Sequence, residues 1–131
     1  MAKQVIKTEV APEPIGPYSQ AIRYGDMLFI SGQVALKPGT TEIASKDITE
    51  ETHQVMKNLQ AVLAGANMDF SNVIKTTIFL SDMELFGQVN EIYGTYFNLN
   101  SGDKSFPARE TVAVKSLPKN ANVEISMIAA L

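Results

Sequence analysis

Apolar residues recur along the chain with two different periods, which together predict an α+β fold. Two stretches carry apolar residues at three- and four-residue spacing, typical of helices that cover a sheet with one face. Other stretches are rich in β-branched and apolar residues and are predicted to be strands: residues 3–8, 21–24, 27–31, 73–80, 108–115 and 122–130. The predicted order is β-β-β-α-β-α-β-β, one sheet with both helices on one face, in a single domain spanning residues 1–131.

The helix boundaries can be predicted from local residue types. Thr49 is the predicted N-cap of the first helix, because two glutamates follow it where the helix end favours negative charge, and Gly65 is its predicted end. Ser81 or Asp82 is predicted to cap the second helix. The aromatic residues of the second helix are expected in the core, and 98–105 is expected to be a polar loop.

Composition narrows the possible chemistry. The chain of 131 residues is 45% hydrophobic and has no cysteine, one histidine and a net charge of −3. Cysteine chemistry is thus excluded, and the lone His53 is expected to be structural or exposed, since no second ligand lies at helical spacing. Scattered basic residues argue against a nucleic-acid groove. No apolar run reaches the roughly 18 residues of a membrane span, and the polar N-terminus favours a cytoplasmic protein.

The last two predicted strands suggest a polar site. Their apolar residues fall on even positions in 108–115 and on odd positions in 122–130. If both apolar sets face the helices, Arg109, Thr111 and Glu124 share the opposite face, and Glu110 lies on the core-facing side. That opposite face also carries apolar residues, so it is expected to pack on another subunit.

Two interpretations of Arg109 and Glu124 follow from the residues alone. The pair could be a purely structural ion pair at a buried junction. Alternatively, the guanidinium could hold a small carboxylate ligand through two parallel hydrogen bonds, while the glutamate orients or deprotonates a water molecule. The residues leave both interpretations open.

Several short strings then indicate a family. They are IGPYSQAI from Ile15, ISGQ from Ile30, VNEIYGTYF from Val89, FPAR from Phe106 and LPKNANVEISMIA from Leu117. In this order and spacing, over nearly the whole chain, they resemble the reactive-intermediate deaminase family (RidA, also called YjgF-type). The resemblance implies a chorismate-mutase-like α+β fold and a homotrimer with clefts between subunits. It also implies hydrolysis of enamine and imine acids, shed by pyridoxal-phosphate enzymes, to 2-oxo acids and ammonia, with no cofactor or metal.

The resemblance also implies roles for individual residues. Arg109 would hold the substrate carboxylate, assisted by the backbone amide of Gly32. Glu124 would hold the attacking water, and Tyr18 would lie against the imine nitrogen as a hydrogen-bonding or proton-transfer partner. Three further residues would complete the substrate site: Ser31, Asn90 and Thr111. The string PARET departs from the PARSC of many relatives, so Thr111 cannot supply a thiol.

Two other functions compete with the deaminase. One is a non-catalytic protein that binds a small carboxylate at Arg109 and acts through a partner protein. The other, which the single histidine and the acidic charge balance disfavour, is a ribonuclease or translation inhibitor. The sequence does not indicate which imine is preferred or whether the protein serves one pathway.

Overall fold

Six strands form one sheet, and two helices lie on one of its faces. The computed structural model describes residues 2–97 and 105–131, so the predicted loop lies almost wholly outside the described residues. The elements are β1 (Gln4–Ile6), β2 (Ala21–Tyr24), β3 (Met27–Gln33), α1 (Ile48–Gly65), β4 (Val73–Leu80), α2 (Phe86–Thr95), β5 (Ala108–Ala113) and β6 (Val123–Ala130). The predicted order of elements and the α+β class are confirmed.

The strands lie in the order β1-β2-β3-β6-β4-β5. Neighbouring strands are antiparallel except β4 and β5, which are parallel because α2 forms the crossover between them. The central strands β6 and β4 therefore lie beside each other, and β5 is an edge strand. Among the described residues, no helix combines the length and apolar character that crossing a bilayer requires.

Helix α1 begins two residues earlier than predicted. Asp47, not Thr49, is the N-cap, and its carboxylate accepts a hydrogen bond from the backbone amide of Glu50 at 3.4 Å. Aspartate caps a helix as well as threonine does, and burial of Ile48 in the core favours a helix that starts there, directly after Asp47. The prediction of Thr49 as the N-cap was therefore wrong. The predicted end at Gly65 is confirmed. Before α2, Asp82 caps a short 3-10 turn, one of the two predicted choices.

The core lies between the helices and the sheet. In β6 the odd positions Val123, Ile125, Met127 and Ala129 are at most 2% exposed, as predicted. On the adjacent β4 the even positions Thr76, Ile78 and Leu80 face the helices and are 0% exposed. The opposite face of the sheet is covered by neither helix, and it is called the open face below.

The strand register shows that the predicted orientation of β5 was wrong. Thr76, which faces the helices, pairs with Arg109, whereas Phe79, on the open face, pairs with both Val112 and Glu124. Residues directly opposite each other in neighbouring strands project from the same face. Arg109 therefore faces the helices and Glu124 the open face, with β4 between them.

Glu110 is also on the opposite face from the predicted one. It pairs with Thr77 on the open face, where its carboxylate lies 3.1 Å from the Lys75 ammonium and accepts a hydrogen bond from the Thr77 hydroxyl. These partners hold the pKa of Glu110 below its ordinary value, chiefly through the hydrogen bonds from Thr77 and Lys75. The error in β5 has one cause: the apolar residues of an edge strand were assigned to the helix-covered face, but Val112 points to the open face and is 46% exposed.

Candidate functional site: two pockets on opposite faces of the sheet

The predicted site residues fall into two groups. Asn90, Arg109 and Thr111 belong to the helix side of β5 and to α2. The other residues surround a cavity at the open face: Tyr18, Ser31, Gly32 and Glu124. The expectation that Arg109 and Glu124 share a face within one chain is therefore wrong, and the two residues form no ion pair with each other within the described chain.

Arg109 rests on two aromatic rings of the α2 segment. Its guanidinium carbon lies 5.0 Å from the ring centre of Tyr93 and 5.7 Å from that of Phe86. Both distances suit a cation–π interaction, which holds the guanidinium without occupying its hydrogen-bond donors. Among residues 2–97 and 105–131, no acidic side chain lies within 4.0 Å of its nitrogens. Within the described residues, the Arg109 guanidinium therefore has no acidic partner.

Tyr93 is itself fixed in the core. It is 4% exposed, and its hydroxyl donates a hydrogen bond of 2.9 Å to the Thr76 hydroxyl. Burial raises the pKa of the Tyr93 phenol. The ring below Arg109 therefore stays neutral and in place. Tyr93 was predicted only to pack in the core, because its contact with Arg109 joins two elements whose relative placement cannot be predicted from helical spacing.

A small pocket opens beside Arg109. It has a volume of about 280 Å³ and is lined by Asn90, Tyr93, Gly94, Phe106, Pro107 and Arg109; we call it the helix-face pocket. The placement of Asn90 beside Arg109 adds an amide that can donate or accept a hydrogen bond. Thr111 lies on the same face two residues further along β5, and its buried hydroxyl oxygen has no hydrogen-bond partner among the described residues. Thr111 is not among the described residues that line the helix-face pocket.

A second pocket, of about 340 Å³, lies at the open face and contains Glu124; we call it the open-face cavity. Its lining is mainly apolar and includes two acidic residues, Glu13 and Glu124. It comprises Pro12, Glu13, Ile15, Tyr18, Gln20, Ser31, Gly32, Gln33, Val34, Leu36, Pro118 and Glu124. The helix-face pocket and this cavity share no lining residue.

Glu124 packs directly against the backbone of Gly32. Strand β3 bulges at Ser31 and Gly32, where two residues oppose one residue of β6. A Cβ atom at Gly32 would lie 2.9 Å from the Glu124 carboxyl carbon, so the carboxyl would have to move for any other residue there. Glycine is therefore required for this approach. Burial raises the pKa of the Glu124 carboxyl above its ordinary value, and no cation lies within ion-pair distance of it among the described residues.

Tyr18 and Ser31 differ in how much of their hydrogen-bonding capacity is occupied. The Ser31 hydroxyl donates to the Ser19 carbonyl at 2.6 Å, and the Ser31 amide donates to the Gln20 carbonyl at 2.9 Å. Tyr18 is 48% exposed, and its hydroxyl accepts a hydrogen bond of 3.2 Å from the Ile15 amide. That hydroxyl can still donate its own proton. Ser31 thus holds the cavity wall, whereas Tyr18 offers a donor to the cavity.

Gln20 was not predicted as a site residue, although it lies in the PYSQ string. It is 2% exposed, accepts a hydrogen bond from the Thr8 amide at 2.7 Å and donates to the carbonyls of Thr8 and Pro12 at 3.0 and 2.9 Å. The side chain ties the proline-rich segment to the sheet and so builds one wall of the open-face cavity. One signal in the sequence could have indicated the role of Gln20. The residue follows a proline-rich string, in which backbone carbonyls lack helix or strand partners and need a side-chain donor.

His53 has the structural role that was expected. Its Nδ1 lies 2.8 Å from the Tyr96 hydroxyl, and Tyr96 packs edge-on against Phe70 with ring centres 5.6 Å apart. In the part of the chain that the structure describes, no three acidic or histidine side chains converge as a metal site would require.

Comparison with known proteins identifies the family. The model of the Endoribonuclease L-PSP family matches residues 8–131. A mouse protein named 2-iminobutanoate/2-iminopropanoate deaminase is 46% identical over 127 residues, which cover 97% of this chain and 90% of the mouse protein. A human protein of the same name is 42% identical over 129 residues, covering 98% and 90% of the two chains.

A solved structure shows that the fold is also shared. Escherichia coli TdcF with bound serine superimposes with a TM-score of 0.90 at 34% identity, over 98% of each chain. The match extends over both pockets, because it includes nearly every element from β1 to β6. This chain therefore belongs to the RidA (YjgF-type) family, which its family model describes as Endoribonuclease L-PSP.

Proposed function

We propose that the protein is a 2-iminobutanoate/2-iminopropanoate deaminase. Its substrates would be the enamines 2-aminoacrylate and 2-aminocrotonate, which pyridoxal-phosphate enzymes release, and their imine tautomers 2-iminopropanoate and 2-iminobutanoate. Hydrolysis would convert them to 2-oxo acids and ammonia. One observation carries the proposal: one chain presents an arginine without an acidic partner among the described residues on one face of its sheet, and a partly buried glutamate on the other. These are the two groups that binding and hydrating a small imino acid require. The mouse and human relatives that carry this name support the same activity.

The two pockets would meet across a boundary between subunits. In a homotrimer with cyclic symmetry, each interface joins one surface of a subunit to a different surface of the next. The helix-face pocket of one subunit would then face the open-face cavity of its neighbour, which gives three identical composite sites. Exposed apolar residues on the open face support such burial, since Phe29 and Val112 are each 46% exposed.

In the composite site, Arg109 would hold the substrate carboxylate. Its planar fork matches the two carboxylate oxygens, and the ring of Tyr93 fixes the plane of that fork. The backbone amide of Gly32 from the neighbouring subunit would provide a further donor, and Asn90 would lie beside the carboxylate. Holding the substrate at one end places its imine carbon in the seam between the pockets, where positioning accounts for much of the rate.

Glu124 would direct the water. As a carboxylate it accepts a hydrogen bond from water and takes up a proton as the water oxygen bonds to the imine carbon, which forms a carbinolamine. The nitrogen then gains a proton, with Tyr18 as donor or relay, and leaves as ammonia while the carbinol oxygen loses its proton. The product is the 2-oxo acid. No strong nucleophile is needed, because a protonated imine is already electrophilic.

A coupled assay tests the proposal. A pyridoxal-phosphate dehydratase acting on serine or threonine supplies the imine, and the appearance of 2-oxo acid is followed over the first seconds. Wild-type protein should accelerate this step, whereas Arg109→Ala should match the buffer control. Lys37→Ala, which changes an exposed cation outside both pockets, is the control that should keep the wild-type rate. If wild type also matches buffer, the protein is not a deaminase.

A carboxylate-binding protein without catalysis is the second candidate. TdcF, which was solved with bound serine, shows that a relative binds a small amino acid. A binding protein would keep both ligand affinity and function in Glu124→Gln, whereas the deaminase would keep affinity and lose turnover. Ribonuclease activity is a weaker candidate, because the single histidine is hydrogen-bonded to Tyr96 outside both pockets.

A further inference from the structure

Glu51 is a buried acidic residue that the proposed chemistry does not use. It lies in the first turn of α1, and its side chain is 0% exposed. Among the described residues, no cation lies within ion-pair distance of its carboxylate. A buried carboxylate is costly unless hydrogen bonds replace its water. The groups that provide these bonds therefore indicate what Glu51 does.

Among the described residues, three groups donate hydrogen bonds to the Glu51 carboxylate, and all three lie at the start of β6. The backbone amides of Asn122 and Val123 donate to one carboxylate oxygen at 2.7 and 3.2 Å. The side-chain amide of Asn122 donates to the other oxygen at 3.0 Å. The carboxylate thus holds the two residues that directly precede Glu124.

The chain enters β6 through a turn in which Lys119 and Asn120 have φ angles of 59° and 53°, in the left-handed region. Ser81 holds Asn122 from the β4 side, with its amide 2.9 Å from the Asn122 carbonyl and its hydroxyl 2.9 Å from the Asn122 side-chain oxygen. Glu51 and Ser81 together set where β6 begins.

The Glu124 carboxyl can be displaced only a little before its contact with Gly32 changes. Val123 points to α1 and Glu124 to the opposite face, so a shift of the Val123 amide carries the Glu124 carboxyl with it. That carboxyl already touches the Gly32 backbone. We infer that Glu51 is a positioning residue, which holds the start of β6 from the helix side so that Glu124 meets Gly32 and the substrate on the open face. This inference rests on the proposed deaminase function.

Two conservative substitutions separate position from charge. Glu51→Gln keeps an oxygen for the backbone amides, and a rotated Asn122 amide can accept from its NH₂ group while donating to Ser81. Glu51→Asp keeps the charge but is one methylene too short to reach both amides. We expect kcat of Glu51→Gln to stay within about twofold of wild type and kcat of Glu51→Asp to fall about 10- to 100-fold, with KM little changed because Arg109 is on another strand.

The reverse order, with Asp active and Gln inactive, would show that the charge matters and would overturn the inference. Equal activity in both variants, or equal loss, would also overturn it. Leu63→Ala, in the buried part of α1 three turns further on, is the control for stability alone. It should lower Tm as much as Glu51→Asp or more while keeping the wild-type kcat.

A measurement without substrate keeps this test separate from the proposed function. The Gly32 amide resonance should shift as Glu124 titrates in wild type and Glu51→Gln, and this response should weaken in Glu51→Asp. If wild type shows no turnover, the proposed function fails, but the titration still decides whether Glu51 positions Glu124. An unchanged Gly32 response in Glu51→Asp would overturn the inference.

Discussion

Arg109 and Glu124 project from opposite faces of one sheet, with β4 between their strands. Thr76, the neighbour of Arg109 in β4, is buried under α2, whereas Phe79, the neighbour of Glu124, lies on the open face. No side-chain rotation can bring the two groups together within a chain, because the sheet lies between them. Any chemistry that uses both must therefore combine two chains.

The first prediction is that two inactive variants restore activity when mixed. Arg109→Ala keeps Glu124, and Glu124→Gln keeps Arg109, so in the proposed homotrimer each mixed assembly would contain one interface with both groups. Equal amounts that are unfolded and refolded together should regain about one quarter of the wild-type rate, since roughly three quarters of the trimers are mixed and each has one complete site. The rate of 2-oxo acid formation measures this recovery.

The matched control is the double variant with both substitutions in one chain. Mixed with wild type, it should reduce activity in proportion to the wild-type sites that remain, and mixed with either single variant it should restore none. If the refolded mixture of single variants stays inactive while native mass spectrometry shows mixed trimers, the two groups do not share a site.

The second prediction concerns the pKa of Glu124. Burial raises this pKa within the chain, and a guanidinium from the neighbouring subunit would lower it. Arg109→Ala removes that cation, so the Glu124 pKa should rise further in the variant. A ¹³C NMR titration of the Glu124 carboxyl measures both values. Equal values in the two proteins would contradict the composite site.

The raised pKa of Glu124 also predicts how the stability of the fold depends on pH. A carboxyl whose folded pKa lies above its unfolded value binds protons more tightly when folded, so it favours folding at low pH. That contribution is complete below the unfolded pKa and is lost as pH rises through the raised folded pKa. The Arg109→Ala variant should therefore lose more stability than Arg109→Ala/Glu124→Gln between acidic and neutral pH. Urea unfolding across this range is the measurement.

The third prediction tests the contact between Gly32 and Glu124. In Gly32→Ala the new methyl would lie 2.9 Å from the Glu124 carboxyl carbon, so the carboxyl must move. We expect kcat to fall about 10- to 100-fold. Gly87→Ala is the control: in α2 its methyl meets nothing within 4 Å, so it should leave kcat unchanged and stabilise the fold by about 0.5–1 kcal/mol. Wild-type turnover in Gly32→Ala would show that the contact is not needed.

The sequence predicted the elements well because the periods of apolar residues are local. The orientation of β6 was also predicted, since this central strand buries alternate residues against the helices. The orientation of β5 was not, because an edge strand with apolar residues such as Val112 can point them to either face when both faces have apolar partners. The pattern of a single strand does not say which face is covered.

The contacts that define the site were beyond sequence reasoning for a related reason. Glu51 bonds to backbone amides 71 and 72 residues away, and backbone donors leave no mark in the sequence. The stacking of Arg109 on Tyr93 depends on how α2 crosses the sheet. Asn90, Tyr18 and Gly32 were identified through family strings, not through periodicity. Local patterns thus predicted elements, and the family resemblance predicted the site residues.

The last prediction separates the two roles of Tyr93. Tyr93→Phe keeps the ring 5.0 Å below the Arg109 guanidinium but removes the hydrogen bond to Thr76, whose buried hydroxyl then lacks this partner. It should cost about 1 kcal/mol of stability and leave KM near the wild-type value. Tyr93→Leu removes the ring as well, so Arg109 loses its support, and KM should rise about threefold to tenfold. Steady-state kinetics and thermal unfolding measure the two effects. If Tyr93→Phe raises KM as much as Tyr93→Leu does, the hydroxyl and not the ring is what supports substrate binding.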